Sequence, residues 1–394
     1  MDIENLSAIL FIIILSLVLW IKRKKLDIHK ILFPFLYVIT LKTKLGINLM
    51  EKVAKKFPKT INFISQSGIY IGFAGMLLIM FELIKNVIKI FTQENALPGV
   101  GLVLPIQMKG AFYVPFFYWI ISIFILATIH EFAHGVVSKL HKVKVKSSGF
   151  GFLSIIVPII PLAFVEPDEK ILIKKSSKKQ LAVFAAGPLA NILFAFIVLG
   201  VSLLITNPVT ANMIDYDGVS ITGLITDFDK KFPAELEGVT ENELITKVDN
   251  TKITHLINFT SLLENKTPGD KITLVTNRSA YKITLAENPE NKEKAYLGVY
   301  VKQNTKIKED FKAKYGNILP SIILWFLGLL FWLYVLNLGI GLFNLVPIGP
   351  IDGGRMSHVI LTKYFKKQGV KIWKAISFIF LILILINIIY SFMG

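Results

Sequence analysis

Six apolar stretches of membrane-spanning length constrain this chain more than any other feature: residues 5–21, 66–91, 112–139, 180–206, 318–346 and 372–393. Crossing the hydrocarbon layer takes about 20 mostly apolar residues in a helix. With 53% hydrophobic residues and a mean hydropathy of +0.60 over 394 residues, the chain has too little polar surface to cover a water-soluble body. The expectation is a polytopic α-helical membrane protein with about six transmembrane helices.

Charge orients those spans. The formal net charge is +17, but it is concentrated: 11 Lys or Arg against 2 acids from Lys22 to Ser65, 9 against 3 from Lys139 to Lys179, and 6 against none from Gly354 to Lys374. Residues 207–317, by contrast, carry 15 basic and 16 acidic residues. Basic loops beside apolar segments follow the positive-inside rule, whereas a nucleic-acid binder would show a basic stripe interleaved with aromatics. Nucleic acid is therefore excluded as a partner. The first span precedes Lys22-Arg-Lys-Lys25 rather than following it, so it reads as an uncleaved anchor with its N-terminus outside. Six spans then put all three basic loops in the cytoplasm, and residues 207–317 and both termini outside. Ile31 to Leu41 is apolar but short, contains Pro34 and is flanked by Lys; an interfacial segment is expected there. Glu82, near Lys85 and Lys89, is expected to form a local ion pair.

Between the fourth and fifth spans, short alternating runs (221–225, 244–248, 271–276, 281–285 and 297–301) are separated by Gly, Asp, Asn and Pro, the pattern of a small β-rich domain. The stretch from Phe232-Pro-Ala to Val248-Asp-Asn250 within it resembles the helix-then-strand segment of PDZ domains. Phe150 to Val165 is apolar but broken by Gly151, Pro158 and Pro161, with basic loop on both sides, so it reads as a re-entrant hairpin. Irregular backbone at that depth needs protein or a water-filled cavity to satisfy it, so a cavity is expected.

The third span contains Ile129-His-Glu-Phe-Ala-His-Gly135. Residues at i and i+4 share a helix face, so His130 and His134 can reach one metal while Glu131 directs a water. Ionisable groups inside a membrane are costly and mark function. No cysteine is present, so a third ligand must be His, Asp or Glu. His141 lies two turns past the pair among lysines, where a solvated position is expected; His29, His255 and His358 have no partner pattern. Asp352, in Asn344-Leu-Val-Pro-Ile-Gly-Pro-Ile-Asp-Gly-Gly354, follows a span ending on the same membrane side as the His motif and is the remaining candidate. These ligand types alone do not separate zinc from another divalent ion.

A buried HExxH helix, a later NxxPxxPxDGG segment and a PDZ-like domain between them resemble the site-2 protease family of intramembrane zinc metalloproteases. Two further stretches fit the same family: the hairpin from Gly149-Phe-Gly-Phe to Phe164-Val-Glu-Pro-Asp168, and Gly187-Pro-Leu-Ala-Asn191. The resemblance covers about residues 112–392. It implies zinc (Zn2+) held by His130, His134 and Asp352, Glu131 as general base, and Asn191 and Asn344 near the bound substrate. The partners it implies are transmembrane protein substrates within the lipid bilayer. On this reading the chain divides into a two-span extension (1–111), a first half of the catalytic core (112–206), the PDZ-like domain (207–317) and a second half of the core (318–394). The rival readings are a membrane transporter or an inactive PDZ scaffold. A transporter would usually show repeated broken helices in two halves, and the chain has no internal repeat; a scaffold has no need of Glu131.

Overall fold

The computed structural model describes residues 3–393 apart from 33–34, 94–95, 156, 228–229 and 290. The chain forms two compact units, Met1–Ser202 with Phe326–Gly394, and Leu203–Trp325.

The first unit is built on helices α1 (Ile3–Ile21), α2 (Ile47–Lys56), α3 (Pro58–Thr92), α4 (Phe116–Leu140), α5 (Ser177–Met213), α6 (Ile318–Phe343) and α7 (Asp352–Met393). Among the described residues, five helices, α3 to α7, are long and apolar enough to cross a membrane, while α1 carries a shorter apolar stretch, Leu6–Ile21. Tyr70, Leu77 and Phe81 of α3 are 72%, 66% and 60% exposed. An apolar exterior of this kind suits lipid and not water. α7 breaks at Lys366, whose φ of 50° is left-handed, so its first turns and its long apolar part are separate rods.

The basic N-terminal extension belongs to the core of this unit. A Cβ added at Gly68, Gly72 or Gly75 of α3 would meet Leu189 of α5, Met356 of α7 and Leu345 before it, at 2.7, 2.9 and 2.6 Å. The glycine stripe lets α3 lie closely against the segments carrying two of the sequence motifs, the close approach that small residues permit between membrane helices. Ile69 and Met76 join Val183, Ala185, Leu345 and Met356 in one buried cluster.

A four-stranded antiparallel sheet completes the unit: β1 (Asp27–Leu32), β2 (Leu36–Thr43), β3 (Val145–Ile155) and β4 (Val157–Pro167), in the order β1-β2-β3-β4. The expected hairpin is therefore present as β3 and β4. The segment from Ile31 to Leu41, expected to be interfacial, is extended: most of it lies in the strand pair that enlarges this sheet, Phe33 and Pro34 falling outside the described residues. Its partner strand begins only at Val145, and local hydropathy cannot register so distant a pairing. The glycines make the pairing possible. A Cβ at Gly149 or Gly151 would fall on the carbonyl oxygens of Leu41 and Ile39.

The second unit is a six-stranded antiparallel sheet. Its main path is β5 (Ile214–Leu224), β6 (Leu244–Val248), β7 (Lys271–Thr276), β8 (Ala280–Thr284) and β9 (Val299–Ile307), in the order β8-β7-β6-β5-β9, with the short strand Thr251–Lys252 pairing with β6. Alternating residues of β7 are buried, and Val219, Ile221, Ile245, Phe259 and Leu274 form its core. The four-residue helix Pro233–Leu236 precedes β6, giving the helix-then-strand order read from the sequence.

Candidate metal centre

His130 and His134 are one turn apart on α4, and Asp352 is the first residue of α7, because Pro347 and Pro350 keep the preceding segment out of the helix. His130 Nε2 lies 3.0 Å from Asp352 Oδ2, His134 Nε2 3.3 Å from the same oxygen, and the two imidazole Nε2 atoms are 3.1 Å apart. Each of the three residues is 8% exposed. A tetrahedral zinc with ligands at roughly 2.0–2.1 Å has edges of about 3.3 Å. The triangle has the dimensions of one face of that tetrahedron, and two imidazoles with one carboxylate are a fitting donor set.

The surroundings prepare these atoms for a cation. His134 Nδ1 is 2.7 Å from the carbonyl oxygen of Val183, which can only accept. The ring proton therefore sits on Nδ1, and the Nε2 lone pair faces the triangle. His130 Nδ1 is 3.1 Å from Asn191 Nδ2, while Asn191 Oδ1 is buried without a partner. Turning the amide over places Oδ1 as acceptor of Nδ1–H, which frees His130 Nε2 in the same way. Space is kept clear at Gly187, where a Cβ would fall on the Nε2 atoms of both histidines. The Asp352 segment is clamped from both ends. Gly353 N–H donates to the carbonyl of Asn344 at 2.8 Å, Trp373 Nε1–H to the carbonyl of Gly354 at 2.9 Å, and the Ser377 hydroxyl to the carbonyl of Pro347 at 2.9 Å. A Cβ at Gly353 or Gly354 would fall on the carbonyls of Leu345 or Ile348.

Glu131 lines a cavity of about 260 Å³ together with His130, His134, Asn344, Asp352 and Arg355. Its Oε2 accepts from the backbone N–H of Val165 in β4 at 2.8 Å. The hairpin is thereby tied directly to the His130–Glu131–His134 motif.

The Asn residues of the two motifs are placed differently. Asn344 lines the cavity and donates from Nδ2 to the carbonyl of Ile340 at 3.1 Å, whereas Asn191 is fully buried against His130. His141 is not solvated: it is 8% exposed, and its Nε2 has no partner among the described residues. Val143 N–H reaches back to the carbonyl of Ser138 and Lys142 adopts φ 57°, so a left-handed C-terminal turn tucks His141 in immediately after α4. Burial, with Lys179 and Lys175 nearby, pushes its pKa down. Glu82 forms its ion pair with Lys85 at 3.1 Å. The reading of the sequence missed the Val183 carbonyl, Trp373, Ser377 and the Val165 link. Trp373 and Ser377 act on main-chain atoms of the site, and Val165 and Val183 contribute main-chain atoms of their own, none of which leaves a residue signature.

The sequence model of Peptidase family M50 matches residues 118–386. The chain belongs to peptidase family M50. The match runs from the helix carrying His130 into the last apolar helix, taking in every motif residue discussed above. This M50 chain is 27% identical over 357 residues to an uncharacterized protein of Methanocaldococcus jannaschii, a match covering 89% of this chain and 85% of that protein. It is also 27% identical over 225 residues, 50% of this chain and 61% of the other, to a Clostridium acetobutylicum protein named "Putative zinc metalloprotease CA_C1796". Among solved structures, a PDZ domain of the SdrC-like protein from Listeria monocytogenes matches 22% of this chain and 88% of that one, with 20% identity and a TM-score of 0.19. Family membership and the helices together make this a membrane protein of metalloprotease type, and its His–His–Asp cluster suits zinc.

Proposed function

We propose that this protein is a site-2-type zinc endopeptidase that hydrolyses peptide bonds in or near the transmembrane helices of membrane-protein substrates. The observation that carries the reading is the buried triangle of His130, His134 and Asp352, with Glu131 beside it in a cavity inside a lipid-facing helical unit. Zinc, held by those three side chains, would acidify a bound water and polarise the scissile carbonyl. Glu131 accepts the water proton and returns it to the leaving nitrogen; the Val165 N–H keeps its carboxylate turned into the cavity. Val183 and Asn191 hold the imidazoles in their metal-binding tautomers, and Asn344 faces the substrate.

A substrate helix must unwind before its carbonyl can be attacked, and the sheet supplies the partner. One side of β3 is already taken by β2, so the free edge belongs to β4. Val165 points its N–H away from β3, toward Glu131, and outward-facing positions alternate along an antiparallel strand. Ala163 then faces the same edge, while Pro161 offers no donor. The substrate strand is expected to add there, its backbone paired with Ala163 N–H and C=O. Ala163→Pro should then lower cleavage of a membrane reporter at least about tenfold without loss of zinc; unchanged cleavage removes the added-strand step.

The basic loops and the near-neutral stretch 207–317 support an orientation with the metal centre toward the cytoplasm and the PDZ-like domain and both termini outside, that domain excluding substrates whose outer part has not been trimmed. Deleting residues 213–303 should admit untrimmed substrates. The central test is metal analysis beside a cleavage assay. Wild type should carry one zinc per chain and cleave, and Glu131→Gln should keep the zinc and lose about 10²- to 10⁴-fold in rate. A protein that holds no zinc and cleaves nothing returns the choice to a transporter or scaffold.

A further inference from the structure

A second cavity of about 730 Å³ adjoins the catalytic one, sharing Glu169, Leu172, Phe184 and Arg355 with it. Its own lining adds Ser177, His358, Lys363 and Trp373, and the metal ligands take no part in it. The volume lies within the range of about 300–1,000 Å³ typical of small-ligand sites. The charge around it is one-sided. From Glu169 to Gln180 the chain carries five lysines against one acid, and from Arg355 to Lys374 six basic residues against none.

The acid does not cancel the site. Arg355 meets Glu169 at 4.0 Å, and the two side chains are 47% and 78% exposed. A pair that long and that exposed is weak, so an anion can take the guanidinium from it. Arg355 is stacked beside Phe184, its Cζ 5.6 Å from the ring centroid, which holds the fork between the two cavities. A guanidinium fork binds two oxygens of a phosphate at once, an ammonium adds a point charge, and a hydroxyl donates to a third oxygen. Arg355, Lys363 and Ser177 are those groups. His358, half-buried with its ring edge-on to Trp373 at 4.9 Å, completes an amphipathic wall suited to the organic remainder of such a ligand.

We propose that this second cavity is a binding site for a phosphate-bearing anion, either a phospholipid headgroup or a free phosphate compound, recognised by Arg355, Lys363 and Ser177. The test uses the full-length, zinc-loaded protein in dodecylmaltoside micelles, which carry no phosphate, and reads tryptophan fluorescence, since Trp373 lines the cavity. One arm titrates inorganic phosphate; the other adds phosphatidylglycerol stepwise to the micelles in phosphate-free buffer. A saturable change is expected, weakened roughly tenfold or more in Lys363→Gln and restored in Lys363→Arg. Lys170→Gln, which removes an equal charge outside this cavity, should titrate like wild type. A response to phosphatidylglycerol alone identifies the headgroup as ligand, and a response to phosphate alone identifies a soluble one. No saturable response in either arm, or one that Lys363→Gln leaves unchanged, overturns the proposal. No cleavage is measured, so this result and the peptidase reading stand or fall separately.

Discussion

Both units bury carboxylates, and they treat them in opposite ways. In the β-rich unit Glu243 is 1% exposed, and its oxygens accept from Thr240 N–H and Oγ, Thr276 Oγ and Tyr281 OH, at 2.9, 2.8, 2.6 and 3.0 Å. It is a finished network that ties the turn before β6 to β7 and β8. In the helical unit Asp352 and two imidazoles converge at 3.0–3.3 Å, with the lone pairs of all three facing one another once the tautomers are set. Such lone pairs repel unless a cation or proton sits between them. A buried acid whose acceptors are all satisfied is structural; one that converges on other acceptors is a site. If the two clusters divide in this way, substitutions around Asp352 should move zinc binding and substitutions around Glu243 only the stability of its sheet.

The largest effect is expected at the three proposed metal ligands. His134→Ala or Asp352→Ala should leave no stoichiometric zinc after dialysis and no measurable cleavage, because a site with two protein ligands does not hold catalytic zinc. Next is Gly187→Ala, which adds only a methyl group, but one that falls on both Nε2 atoms. It should cut zinc affinity, measured by competition with a chelator, by at least about 100-fold, the upper end for groups that orient metal ligands. Wild-type affinity in that variant would mean that the two histidines do not point where the geometry places them. Asn191→Ala is expected to cost less, about tenfold in zinc affinity, since it removes only the group that fixes the tautomer of His130.

How much of this was legible in the sequence follows from the range of each interaction. The His130–Glu131–His134 arrangement is local: helix periodicity alone puts both imidazoles on one face. Asp352 lies 222 residues from His130, and it was reached through the charge of the loops and the family resemblance, because no local pattern separates a ligand Asp from a turn Asp before Gly-Gly. The alternating runs 244–248 and 271–276 appeared as strands where expected, since one buried face imposes a period of two. The strands Asp27–Leu32 and Leu36–Thr43 did not announce themselves. Their pairing rests on Gly149 and Gly151, and a glycine marks a close approach without saying to what. The same is true of Gly68, Gly72 and Gly75, which pack a span of the N-terminal extension into the core. His141 was misjudged because neighbouring lysines suggest solvent, while burial depended on a single left-handed turn at Lys142.

The smallest expected effect sharpens the comparison from the other side. Glu243→Gln removes a charge from the finished network and sets an amide N–H₂ against donors, which costs about 1–3 kcal/mol for a buried group left mispaired. The loss should appear as reduced hydrogen-exchange protection across Lys271–Thr284 in the full-length protein, with zinc affinity unchanged. Its pH dependence has a definite sign. Burial pushes the Glu243 pKa up, but the hydrogen bonds from Thr276, Thr240 and Tyr281 outweigh it and hold the folded value below the usual 4.5. A carboxyl with a lowered folded pKa binds its proton more readily when unfolded, so its contribution is full above pH 4.5 and falls away as the pH drops through the folded value. Protection of β7 and β8, corrected for intrinsic exchange, should therefore decline on acidification below about pH 4.5 in wild type and stay flatter in Glu243→Gln. If the variant instead lost zinc at neutral pH, the two buried carboxylates would not be independent, and the line between a structural acid and a site acid could not be drawn from hydrogen-bond satisfaction.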